Sequence, residues 1–242
     1  MSTRKSSKKI TRVASASTAS ENVFQVDETH RKKARNFRIL AFALWLVAIG
    51  FEVFAILLLN KAPVNTTLLF VYIAADFICA VSAGLLWKKA NRWDPPSKKD
   101  KFKFFIQTQL GAIMNVIAFL PLVIFILKSK NLDAKTKKLV GGIALVALLS
   151  ATALGVDYNP PSQEEYLEQT EEVKALNGGK DFVYWTKSGS SYHLFEDCFY
   201  INSDRTTEIF EGTVADARTL KNITDLCNYC ESRSKKALEE TE

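Results

Sequence analysis

The sequence lacks the short motifs that mark the common enzyme classes. It contains no glycine-rich phosphate-binding loop, no pattern typical of a nucleophile triad and no metal site with an open coordination position. We therefore expect that the chain is not an enzyme and that it has no catalytic residues.

No cleavable signal sequence is expected at the N-terminus either. The first long apolar run starts near Ile39, and no small-residue cleavage pattern ends it. Residues 1–37, rich in Ser, Thr and Lys, are predicted to form a disordered basic arm. The chain of 242 residues has a net charge of +6. Because its Lys and Arg residues cluster beside apolar runs, this charge indicates membrane orientation and contact with anionic lipid, and no nucleic-acid partner is expected.

Four apolar runs fill the middle of the chain, each near the length of about 20 residues that a bilayer core requires. They cover residues 39–59, 67–87, 104–127 and 139–156. Buried helices of a soluble protein would carry a polar face, and these runs have none of useful width. The predicted fold is a membrane-embedded, all-α bundle of four transmembrane helices over residues 38–157, followed by a small α+β domain.

The charges of the loops predict the orientation of the spans. The first loop carries only Lys61, whereas the second carries seven Lys or Arg residues, so the second loop and the basic N-terminus are expected in the cytoplasm. The third loop, with five lysines, conflicts with this assignment because it would then lie outside. The contrast between the first two loops favours cytoplasmic N- and C-termini in a multi-pass protein of the inner membrane.

Polar residues interrupt three of the apolar runs near mid-span. They are Glu52, Asp76 and Asn115, and each shares a helix face with small residues that allow close helix packing. We expect the three side chains to meet in one intramembrane polar layer. Intramembrane carboxylates often serve as proton or ion relays, but a neutral, hydrogen-bonded pair that fixes helix register is an equal alternative.

The remaining residues are predicted to form a small soluble tail. Residues 158–180 are predicted to be a helical stalk, since Ser162 and Glu165 form a capping-box pattern. Residues 181–242 are predicted to be a module with a β-hairpin around the KSGS turn and a short helix after CNYC. A unit of this size is marginal on hydrophobic burial alone, so a bound metal would help it to fold.

Histidine and cysteine are scarce, yet they gather in this tail. One of two histidines and three of four cysteines lie there, as the pairs His193/Cys198 and Cys227/Cys230. Two close pairs of Cys and His ligands are typical of a tetrahedral structural zinc site, in which no position remains for an activated water. The main alternative is a disulfide or redox pair of Cys227 and Cys230.

These residues also carry a resemblance. The segment from Tyr184 to Cys230, with Tyr192, the four ligand candidates and the CxxC knuckle, resembles the small metal-binding module of the Ada DNA-repair type. The Ada-type site uses four cysteines, so the resemblance implies metal binding but no methyl transfer. More loosely, WKKANRWDP, FFIQTQLGAI, DYNP and VYWTKSG are similar to an uncharacterised family of multi-span bacterial membrane proteins, which implies no activity.

The sequence supports two hypotheses for function. In the first, a non-enzymatic membrane protein presents a zinc-stabilised cytoplasmic module for partner binding or sensing. In the second, a small proton or cation transporter, or a component of an oligomeric channel, uses Glu52 and Asp76. The expected partners are membrane lipid, a protein yet to be identified, and further copies of the same chain.

Overall fold

Two compact units make up the chain in a computed structural model, which describes residues 9–12, 28–221 and 223–240. One unit spans Glu28–Pro161 and is called the helical unit. The other, called the tail unit, combines Ser162–Glu242 with Met1–Asp27. Each unit is described by itself.

The helical unit contains four long helices. They are α1 (Glu28–Leu59), α2 (Thr66–Trp93), α3 (Lys101–Lys128) and α4 (Ala134–Gly155). All four are long and apolar enough to cross a membrane. α1 starts before the predicted span that begins at residue 39, and α2 ends after the predicted span that ends at residue 87. The additional helical residues include Lys and Arg, so they were not part of the apolar runs from which the spans were predicted.

Side-chain caps fix where three of these helices begin. Asn65 accepts a hydrogen bond from the backbone N–H of Leu68 at 3.0 Å, and Asp100 accepts one from Lys103 at 3.0 Å. Asp133 caps α4 in the same way. A short polar side chain at this position satisfies backbone donors that have no partner within the helix.

Small residues line the interior of the helical unit. A Cβ atom added at Gly155 would lie 2.8 Å from the Cα of Ala112 and 2.9 Å from Nδ2 of Asn115, and one added at Gly111 would lie 3.0 Å from the carbonyl oxygen of Gly155. The backbones of α3 and α4 therefore approach closely, as small residues permit in membrane helices. Large apolar side chains cover the outside of the unit, among them Leu46 and Val146.

The tail unit is built from short strands and helices. In chain order they are β1 (Lys9–Arg12), α5 (Gln163–Leu176), β2 (Val183–Thr186), β3 (Ser191–Tyr192), β4 (Glu208–Gly212), α6 (Val214–Lys221), β5 (Asp225–Leu226) and α7 (Asn228–Glu239). One sheet has the order β1-β4-β2, with β2 antiparallel and β1 parallel to β4. A second, small sheet pairs β3 with β5 in parallel.

The predicted hairpin forms only in part. β2 pairs mainly with β4, and its link to the segment after β3 is a single antiparallel bridge between Tyr184 and His193. That bridge is well made, with backbone N–H to carbonyl distances of 2.8 and 2.7 Å in the two directions. It fixes the backbone of His193, one of the four predicted metal ligands.

Two segments differ from the sequence expectations. The arm predicted as disordered over 1–37 contains strand β1 and the start of α1, while 1–8 and 13–27 lie outside the described residues. The predicted stalk packs as α5 onto the rest of the tail unit, because Tyr166 and Val173 bury their side chains there. Glu165 of α5 also forms an ion pair with Arg218 at 2.7 Å.

Candidate metal centre

The four predicted ligands come from two places in the tail unit. His193 directly follows β3, and Cys198 lies in the turn after it, where its carbonyl oxygen accepts hydrogen bonds from the backbone N–H groups of Ile201 and Asn202 at 3.0 and 2.8 Å. Cys227 is the N-cap of α7 and Cys230 lies in the first turn of that helix. The two pairs are held against each other because the backbone N–H of Cys227 donates to the carbonyl oxygen of Tyr192 at 2.9 Å.

The structure brings all four side chains together. One ligand atom from each of His193, Cys198, Cys227 and Cys230 lies within 4.8 Å of the others, and this group could hold a metal ion. Sγ of Cys230 lies 3.7 Å from Nδ1 of His193. Bonds of about 2.3 Å to sulfur in a tetrahedron place the ligand atoms about 3.8 Å apart, so the donor set fits a four-coordinate metal after small shifts.

Burial keeps the groups of this cluster uncharged unless a cation is present. Cys198 and Cys230 are fully buried and His193 is 5 % exposed. Loss of hydration raises the pKa of the Cys230 thiol to about 12 and lowers the pKa of the His193 imidazole to about 4. The imidazole is therefore neutral near pH 7, which is the state that binds a metal, and the thiols need a nearby cation to ionise.

Backbone donors are aimed at two of the sulfur atoms. The N–H groups of Leu194 and Phe195 point to Cys230, and the N–H of Tyr200 points to Cys198, and these contacts oppose the rise in the thiol pKa values that burial causes. The N-terminus of α7, at which Cys227 and Cys230 lie, also favours negative charge. These donors would help to stabilise thiolates once a cation is bound, although burial keeps the pKa of the thiols raised without one.

The three cysteines of the cluster are free thiols in this structure. The fourth, Cys79, lies in α2 and belongs to the helical unit. Cys79 is therefore a natural internal control for experiments on the other three.

Sequence reasoning missed an aromatic surface beside the cluster. Phe199, Tyr200 and Tyr229 form a set of mutually contacting rings, with centroids 4.0 Å apart for Phe199 and Tyr200. The first two side chains are 60 % and 61 % exposed. All three lie within two residues of Cys198 or Cys230 in the sequence, and this adjacency could have been used to predict the surface. A cleft of about 500 Å³, lined by His193, Cys227 and two of these rings, adjoins this surface.

The residues of the predicted polar layer are all buried inside the helical unit. Glu52 is 5 % exposed, and Asp76 and Asn115 are fully buried. Glu52 accepts a hydrogen bond from the backbone N–H of Leu122 at 3.3 Å, next to Pro121 within α3. Nδ2 of Asn115 donates to a carbonyl oxygen of α4 at 2.6 Å.

Asp76 differs from the other two. Neither of its carboxyl oxygens has a hydrogen-bond partner within the part of the chain that the structure describes. The group lies close enough to Glu52 for the two carboxyls to interact electrostatically. An intramembrane acid in this environment is either protonated or bound to a cation.

Comparison of the chain with protein-family profiles, with curated proteins and with solved structures finds no match. The resemblance to the Ada-type module and to a bacterial membrane family therefore stays a prediction. The length and apolar character of the four helices, which are sufficient to cross a membrane, and the grouping of the four ligands are shown by the structure.

Proposed function

We propose that this protein is a non-enzymatic, multi-pass membrane protein that presents a zinc-stabilised module for binding a partner protein or for sensing. The observation that carries the proposal is the set of four buried ligand atoms within 4.8 Å of one another. A Cys₃His set suits zinc, and four protein ligands leave no open position for water. Such a site stabilises a fold rather than activating a substrate.

Zinc would act here as a cross-link. His193 and Cys198 belong to the chain around β3, whereas Cys227 and Cys230 belong to α7, so one ion would join segments about thirty residues apart. The core around the site contains few large side chains, with Trp185, Tyr192 and Ile201 among the largest that are fully buried. Structural zinc contributes on the order of 10 kcal/mol to the folding of small modules, which exceeds what a core of this size supplies.

The aromatic surface supports a binding role for the module. Phe199, Tyr200 and Tyr229 present exposed rings beside the ligand cluster. Aromatic side chains are enriched at protein–protein interfaces, and a metal site that fixes the backbone on both sides of them reduces the entropy lost on binding. The charges of the first two loops favour a cytoplasmic location of the module. The pairing of β1 with β4 requires Lys9–Arg12 and the tail unit to lie in the same compartment, which agrees with both termini being on one side.

The test is metal analysis of the purified full chain in detergent. We expect about one zinc ion per chain, lost on Cys227→Ser or Cys198→Ser. Cys79→Ser is the matched control, and it should keep its zinc because Cys79 lies in α2. A metal-free chain that resists proteolysis under reducing conditions would contradict the proposal.

A second candidate function, proton or cation transport, is favoured by one observation. Asp76 is fully buried, and its two carboxyl oxygens lack a hydrogen-bond partner among the described residues. Flux of protons or cations into proteoliposomes, lost in the double variant Glu52→Gln with Asp76→Asn, would support it. If neither the parent chain nor the correctly inserted double variant conducts ions, the two carboxyls only fix helix packing.

A further inference from the structure

One edge of the tail sheet is occupied by a strand from the far end of the chain. β4 pairs on one side with β2 and on the other with β1, in the parallel register Lys9↔Glu208 through Arg12↔Glu211. About two hundred residues separate the two partners in sequence. The contact is therefore an extended segment added to a sheet edge, which is a common mode of peptide recognition.

The side chains of the two strands are matched in charge and hydrogen bonding. Oγ1 of Thr11 donates to Oε1 of Glu208 at 2.6 Å. Nε of Arg12 donates to Oε1 of Glu211 at 2.6 Å, and the side chain of Glu211 is only 11 % exposed. Two acidic side chains along one short strand select a basic segment in extended conformation.

β1 contributes little to the core of the tail unit. Ile10 and Arg12 are exposed and Thr11 is half-buried. The buried core cluster of the unit contains Ile209 of β4 but no residue of β1. The sheet and the metal ligands can therefore persist when β1 leaves.

We propose that this edge of β4 is a strand-addition site for a basic, extended segment of a partner protein, and that Lys9–Arg12 is an internal ligand that occupies it at rest. The inference rests on the proposed function, because it names the surface of the module that binds a partner. The segment that fits has a hydroxyl residue followed by an arginine, as Thr11 and Arg12 are in β1. The partner must displace the internal strand in order to bind.

The direct test uses a fluorescent peptide with the sequence of residues 6–15, SSKKITRVAS, and the full chain in detergent. A variant that lacks residues 2–20 should bind the peptide. The intact chain should bind it at least about tenfold more weakly, because a tethered competitor acts at an effective concentration in the millimolar range. A peptide with proline in place of the isoleucine should not bind to the shortened chain, since proline is poorly tolerated within a hydrogen-bonded strand.

Two substitutions in the shortened chain test which side chains recognise the peptide. Glu211→Gln should weaken peptide binding, whereas Glu196→Gln, in a loop of the same unit, should not change it. The zinc content is measured on each variant. A shortened chain that keeps its zinc but does not bind the peptide overturns this inference and leaves the proposed function standing. A parent chain that contains no zinc contradicts the proposed function.

A charge exchange tests the internal pairing without a deletion. Arg12→Glu and Glu211→Arg should each increase amide hydrogen exchange in residues 208–212, and the double variant should restore protection. Lys5→Glu is the control, with the same change in charge outside β1. Protection that increases with protein concentration would show pairing between two copies and would overturn the assignment of β1 as an internal ligand.

Discussion

At the scale of single residues, burial determines the chemical behaviour of both polar clusters. Burial removes water from the thiols of Cys198 and Cys230 and from the carboxyl of Asp76. In the tail unit three further ligand atoms converge on each buried group, so a cation can replace the lost hydration. In the helical unit Asp76 has only a second acid, Glu52, as a charged neighbour among the described residues. The first arrangement could hold a metal ion with four protein ligands, and the second is a candidate for protonation or cation binding.

Glycine at the end of α4 gives a test of the helix packing. Gly155→Ala should destabilise the helical unit by about 1–3 kcal/mol, because the new methyl group would lie 2.8 Å from backbone atoms of Ala112. Gly142→Ala in the same helix is the matched control, since no atom lies within 4 Å of a Cβ there. Denaturant unfolding of both variants in detergent measures the difference. Equal stability of the two would show that α3 and α4 do not pack in this way.

At the scale of elements, polar caps decide where the helices begin. α6 starts with a capping box in which Oγ1 of Thr213 accepts from the N–H of Asp216 at 3.2 Å, and Oδ2 of Asp216 accepts from the N–H of Thr213 at 3.0 Å. The first of these two contacts recurs at Ser162, whose Oγ accepts from the N–H of Glu165 at 3.2 Å at the start of α5. Each cap satisfies backbone donors that the helix leaves unpaired.

Removal of the cap of α6 should weaken the tail unit. Thr213→Ala should lower its free energy of unfolding by about 1 kcal/mol, because the hydroxyl makes two hydrogen bonds that would be lost: it accepts from the N–H of Asp216 and donates to Oδ2 of Asp216 at 2.7 Å. Thr213→Ser keeps the hydroxyl and should retain most of the stability. Hydrogen exchange of residues 214–221 measures the effect. The idea fails if the serine variant is destabilised as much as the alanine variant.

These caps show how far the sequence determines the elements. Local signals such as Ser162 with Glu165, or the spacing of Cys227 and Cys230, act within one turn of chain and can be read directly. The pairing of β4 with β1 cannot be predicted from local sequence, because Lys9–Arg12 lies about two hundred residues away from β4 and four residues carry no signal for pairing. The packing of α5 was missed for a related reason. Tyr166 and Val173 are the two buried side chains of an otherwise largely charged helix, and their burial depends on the side chains that the rest of the unit places against them.

At the scale of the whole molecule, the pairing of β1 with β4 constrains the topology. The two strands must lie on one side of the membrane, and an even number of spans, as the four long apolar helices provide, satisfies this requirement. The charges of the first two loops predict that this side is the cytoplasm. A reporter fused after Glu242 should therefore be active in the cytoplasm, as should one fused before Met1. Opposite outcomes for the two fusions would contradict both the strand pairing and the span count.

The division into two units predicts that metal removal affects only one of them. All four ligand candidates lie in the tail unit, whereas the helical unit is packed through small residues such as Gly111 and Gly155. Chelation of zinc from the full chain in detergent should therefore expose residues 163–240 to protease and leave residues 28–155 protected, because bound zinc supplies on the order of 10 kcal/mol to a small module and nothing to the helices. Added zinc should restore protection, and the Cys79→Ser variant should behave like the parent chain. Cleavage in both units after chelation would mean that the helices depend on the tail unit, and protection of both would mean that the tail unit folds without metal.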